Sequence, residues 1–79
     1  MYKWNIECSI NGKIRVREVF DEKDEKEAKD EYACVCYDTS LCHGMPGPGM
    51  ENTLYDLIEL YKQDTVTGEI LERKVRTFK

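Results

Sequence analysis

Long apolar runs are missing from this 79-residue chain. None approaches the length of a membrane span, and the opening MYKWNIECSING carries no apolar signal-peptide core, so a cytoplasmic location is expected. Histidine is nearly absent, with His43 alone, which leaves few ways to build a general base. Its neighbour Cys42 is a poor nucleophilic partner, because adjacent side chains normally diverge. No phosphate loop is present. The run from Gly44 to Gly49 lacks a Gly-Lys-Ser/Thr ending, and its prolines remove amide donors. An enzyme is therefore not expected. Positive charge is not in excess either; the net charge is −4, which argues against a generally basic nucleic-acid binder.

What is present fits one small globular domain over residues 1–79. Hydrophobic residues make up 41% and charged ones 35%, a balance that excludes intrinsic disorder. So short a chain buries a modest core and gains from a staple or from self-association. The negative charge is local. Residues 21–31, DEKDEKEAKDE, hold seven acids and three lysines, and the rest of the chain is neutral. Cys8, Cys34, Cys36 and Cys42 are expected to be reduced in a cytoplasmic protein.

Residues 2–10 alternate: Tyr2, Trp4, Ile6, Cys8 and Ile10 on one side, Lys3, Asn5, Glu7 and Ser9 on the other. That pattern is a half-buried strand. Asn11-Gly12 signals a hairpin. A three-residue loop ending at a left-handed Gly12 pairs Cys8 with Ile14 and Ile6 with Val16, which keeps one face apolar. A two-residue loop instead sets Cys8 against Arg15. The first register is expected, although it leaves Glu18 opposite Trp4.

A helix is expected from Asp24, where Asp24 and Glu27 resemble a capping box and the early acids suit the positive helix N-terminus. Ala28, Tyr32, Val35 and Cys36 share a stripe at helical spacing, which turns Cys34 to solvent. Lysines interleave as i,i+4 pairs, Glu25 with Lys29 and Lys26 with Asp30. Residues 38–51, with three glycines and both prolines, read as a long loop. Residues 53–64 fit either a helix or a strand. The following Asp64-to-Glu69 segment suits a four-residue hairpin loop closed by a left-handed Gly68, which favours a strand. That loop pairs Ile58 with Val75, Glu59 with Lys74, Tyr55 with Phe78 and Lys62 with Leu71. The last strand then runs from about Glu69 to Phe78.

The expected fold is α+β: an antiparallel four-stranded sheet with one helix, in the order β-β-α-β-β. One helix covers one face. The second hairpin carries apolar residues on both, so Tyr55, Leu57, Tyr61 and Phe78 are candidates for a homodimer interface.

Cys34, Cys36, Cys42 and His43 offer four zinc ligands within ten residues. However, C-x-C is not the usual spacing, and the helix must end before Cys36 for them to converge. Cys42, His43, Met45 and Met50 are a softer set suited to Cu(I). Lys13, Arg15 and Arg17, together with Arg73, Lys74, Arg76 and Lys79, allow a small nucleic-acid surface beside Tyr55, Tyr61 and Phe78. Partner-binding candidates are Glu25, Glu27 and Glu31 on the helix, and Met45 and Met50 in the loop.

The alternating first strand with Asn11-Gly12, the helix start from Asp24 to Ala28 and the Asp64-to-Glu69 turn give the chain a resemblance to small α+β proteins of bacteriophages and mobile elements, including anti-CRISPR-type inhibitors. The resemblance implies a role in binding or inhibiting another protein inside a bacterial or phage-infected cell. The expected function is thus a small protein-binding module, with a zinc-stapled domain or a small RNA- or DNA-binding module as alternatives.

Overall fold

The structure is a computed structural model and describes residues 1–45, 47–49 and 53–78. Four strands, β1 (Tyr2–Ile10), β2 (Lys13–Asp21), β3 (Leu57–Asp64) and β4 (Ile70–Thr77), form one antiparallel sheet in the order β2-β1-β3-β4. A short 3-10 turn over Glu22–Asp24 leads into the helix α1 (Glu25–Gly44) between β2 and β3. This is the α+β arrangement expected, with residues 57–64 in a strand.

The alternation of β1 is realised directly. Trp4, Ile6 and Cys8 point to the helix and are at most 2% exposed. Ile58 and Leu60 of β3 meet them, with Ala28 and Cys36 of α1 closing the core. Fully burying each of the large apolar chains contributes on the order of 2–3 kcal/mol. Tyr32 and Val35 pack partly against this core, and Cys34 is exposed, as the helical stripe predicted. Two lysines lie over the Trp4 ring, Lys29 at 5.3 Å and Lys62 at 5.7 Å from its centroid. Trp4 Nε1 is the one buried side-chain polar atom without a partner among the described residues.

Two bulges change the registers expected from sequence. In the first hairpin Asn11 (φ 52°) and Gly12 (φ 81°) form a two-residue loop, and Ile10 faces Lys13. Both positive φ values match the tight hairpin turn that Asn-Gly favours. Ser9 then faces Ile14 and Cys8 faces Val16, so Arg15 is the extra residue. The bulge keeps Val16 and Phe20 on the core side with a shorter loop than expected. It also places Glu18 opposite Ile6, and turns Ile14 to the other face, where it is 51% exposed.

In the second hairpin the expected turn forms. Asp64 Oδ1 accepts the amides of Val66 (2.7 Å) and Thr67 (3.1 Å), and Gly68 takes φ 78°. Gln63 faces Ile70, but Lys62 faces Glu72, which leaves Leu71 as a bulge. Beyond it each pairing moves by one residue: Ile58 faces Arg76 and Glu59 faces Val75. Because side chains alternate with period two, one extra residue exchanges the two faces of β4. Phe78 therefore lies on the core side, not on the second face. Tyr55 precedes β3 and also packs against the core.

The helix also differs from expectation. Asp24 is its N-cap residue but makes no side-chain cap hydrogen bond. The helix continues to Gly44, through seven residues read as loop, and Thr39 within that stretch is buried. His43 anchors its end: Nε2 meets the Tyr55 carbonyl at 2.8 Å, and the ring stacks on Phe78 at 5.6 Å. No helix among the described residues is long and apolar enough to cross a membrane.

Candidate functional site

Helix α1 packs on β1, β2 and β3. All eight residues of β4 remain exposed. Apart from the bulge at Leu71 the strand is paired with β3 on one side, and among the described residues no strand pairs with its other edge, which leaves backbone donors and acceptors open there. On the helix side β4 presents Glu72, Lys74 and Arg76, opposite Lys62, Leu60 and Ile58 in turn. The helix does not reach across them. A groove of about 470 Å³ is left between α1 and β4, lined by residues that include Lys29, Tyr32, Tyr37, Ser40, Lys74 and Arg76.

The groove is well ordered by local contacts. The Tyr32 hydroxyl donates to Cys36, and burial, followed by that thiol, pushes the phenol up to about 12. Burial likewise raises the Cys36 thiol, so both groups stay protonated near neutral pH. The Arg76 guanidinium lies 5.1 Å from the Phe78 ring centroid, an attraction that holds its head in place. Lys29 pairs with Glu25 at 3.0 Å and reaches Glu72 at 3.8 Å.

The uncovered face of the sheet is different. Glu7 and Glu59 stand directly opposite each other on the two central strands. Like charges so placed repel, and each carboxylate is held by an arginine. Arg17 donates to Glu7 through Nε at 2.7 Å and also through Nη2, and the Tyr61 hydroxyl adds a bond at 3.0 Å. Arg73 donates to Glu59 at 2.8 and 2.6 Å. Around this polar centre lie Ile14, Val19, Ile70 and Val75, each between 42% and 52% exposed.

Of the four residues expected at an interface, Leu57 and Tyr61 lie on this uncovered face, and Tyr61 is already buried by its neighbours. Tyr55 and Phe78 belong to the other side. Among the partner-binding candidates, Glu25 and Glu27 are exposed, Glu31 is half-buried and Met45 is 82% exposed. Glu25 is engaged by Lys29, and Lys26 by Asp30, as the i,i+4 spacing predicted. Met50 lies outside the described residues, as does Lys79.

The helix carries straight through Cys34, Cys36, Cys42 and His43. Cys34 faces solvent, Cys36 faces the core and His43 meets Phe78. Among the described residues no group of three His, Cys, Asp or Glu side chains converges. The basic residues are divided as well: Arg17 and Arg73 are taken up by carboxylates, whereas Lys74 and Arg76 line the groove.

Sequence reasoning missed two features. One is the groove, which exists because the helix stops short of β4. The other is an exposed apolar row at the helix end, Tyr37 (64%), Leu41 (55%) and the C-cap residue Met45 (82%), spaced every four residues. That spacing was visible in the sequence but hidden by reading residues 38–51 as a loop. Comparison with protein-family models, with curated proteins and with solved structures finds no match for this chain.

Proposed function

We propose that the chain is a small protein-binding module that acts by occupying a surface of another protein, and that β4 with the adjoining helix row is the surface it offers. The observation that carries this reading is the exposure of β4 along its whole length, with Tyr37 across the groove from it and Leu41 and Met45 exposed further along the chain. An edge strand supplies backbone hydrogen bonds, and exposed large side chains supply area; together these are the ingredients of strand addition to a partner. An inhibitory role needs nothing more than such occupancy and falls within the same reading. The test is capture of a partner from the native host by the tagged chain, compared with Leu41→Asp and with Lys74→Glu/Arg76→Glu, each verified as folded by circular dichroism. Selective loss of one captured protein in these variants supports the reading. A capture profile that matches an unrelated control removes it.

A second reading concerns self-association. Ile14, Val19, Ile70 and Val75 all lie on the sheet face away from α1, so two copies packed through this face form a homodimer. Sedimentation at high micromolar concentration decides it. A dimer that Val75→Asp dissociates supports the reading, and a monomer ends it.

A further inference from the structure

Lys74 and Arg76, like Lys13 and Arg15 of β2, differ from the paired cations of the sheet. Arg17, Lys62 and Arg73 each pair with a carboxylate. Among the described residues Lys74 and Arg76 have none, and no acidic side chain lines the groove into which they project. They stand two residues apart on the same face of β4, beside an edge that is free to pair.

An extended chain added antiparallel to that edge places alternate side chains on the same face, about 6.6 Å apart, which is also the spacing of Lys74 and Arg76. The geometry points to an acidic, extended peptide segment of the partner as the ligand: carboxylates at alternate positions opposite Arg76 and Lys74, followed by a basic residue opposite Glu72. This rests on the reading of β4 as the binding surface and names what it recognises.

The charge distribution separates this ligand from its competitors. A nucleic acid needs a track of cations, whereas here two cations are backed by a helix whose start carries the chain's excess acid. A polyanion longer than the groove meets that acid. Nor is a second copy of β4 a good complement. In two-fold antiparallel pairing each residue faces one of the same parity, so a register centred on Glu72, Arg73, Lys74 or Arg76 sets that side chain against itself. Centring on Val75 sets Lys74 against Arg76. Every such register opposes like charges, which destabilises a strand pair.

The test is a titration of the isotope-labelled full chain, followed by NMR, with a capped eight-residue peptide. It is rich in threonine and valine and carries Glu-x-Glu-x-Lys from N to C. Controls are the same peptide with glutamines, a mixed-sequence single-stranded oligonucleotide and inorganic phosphate. Expected are shifts confined to residues 72–77 and to Tyr32 and Tyr37, at least tenfold weaker binding with the glutamine peptide, and a similar loss in Lys74→Glu/Arg76→Glu. A peptide with lysines in place of the glutamates should restore binding to that variant. No shifts, equal binding of the glutamine peptide, or oligonucleotide or phosphate shifting the same residues as strongly overturns the inference. If the peptide fails while Lys74→Glu/Arg76→Glu still abolishes partner capture, β4 remains the binding surface and only the acidic ligand is lost. If that variant captures the partner unchanged, the reading of β4 itself fails.

Discussion

β1 and β4 belong to the same sheet and are nearly the same length, with five apolar residues of nine in β1 and three of eight in β4, yet their surroundings are opposite. β1 holds Trp4, Ile6 and Cys8 at 2% exposure or less, and even Ser9 on its other face is 7% exposed. β4 holds Ile70, Leu71 and Val75 at 42% to 51%, and none of its residues is buried. Apolar character alone does not separate them. Position does: β1 lies second in the order, beneath a helix and between two strands, and β4 is an edge that the helix leaves uncovered. A strand whose apolar residues have no cover among the described residues is available for contact with another chain, which is why the functional reading rests on β4.

The contrast can be broken experimentally. Cysteine alkylation should show the widest difference. In the folded chain Cys34 reacts freely, while Cys8 and Cys36 react on the order of a thousandfold more slowly, because they are reached only through the small unfolded fraction. Burial pushes the Cys8 thiol up to about 11, which lowers its thiolate population further. Comparable rates for all three thiols would mean the core is open. Next come Ile6→Ala and Ile58→Ala, which should each cost about 2–5 kcal/mol in urea unfolding, against less than about 0.5 kcal/mol for Val75→Ala. Equal costs would show that β4 is covered in solution.

At the helix end, His43→Ala removes the bond to the Tyr55 carbonyl and the stack on Phe78, with an expected loss of about 1–2 kcal/mol. On the uncovered face, Tyr61→Phe should cost about 1 kcal/mol, because the hydroxyl is bonded to Glu7 and the ring is buried. The smallest effect concerns Asp64, whose carboxyl is held below the usual carboxylate range by the amides of Val66 and Thr67. A depressed folded-state value means its contribution is present at neutral pH and is lost as pH falls through that value. The urea midpoints of the wild type and Asp64→Ala should therefore differ at pH 7 and converge in strong acid. Curves that stay parallel would assign the turn's stability elsewhere.

Much of the molecule was legible in residue order. The alternation of β1, the Asn11-Gly12 turn, the Asp64-to-Gly68 turn and the stripe through Ala28 and Cys36 are local patterns, and each formed. The site was less legible. Arg15 and Leu71 look like ordinary strand residues, and nothing beside them announces a bulge. Yet the bulge at Leu71 decides that Lys74, Arg76 and Phe78 face the helix while Val75 faces away. The helix end was missed for a related reason: Asp38 to His43 carry no strong apolar period, and it is the packing of Thr39 and His43 that holds them helical.

Residue order alone therefore determined the elements, their sequence along the chain and the composition of the central core, because turn chemistry and side-chain periodicity act within a few residues. Tertiary structure decided which face each residue of β2 and β4 presents, how far the helix runs and which strands it covers. Those outcomes depend on one-residue slips between strands and on the finite width of a single helix, and neither is written in any local stretch of the chain.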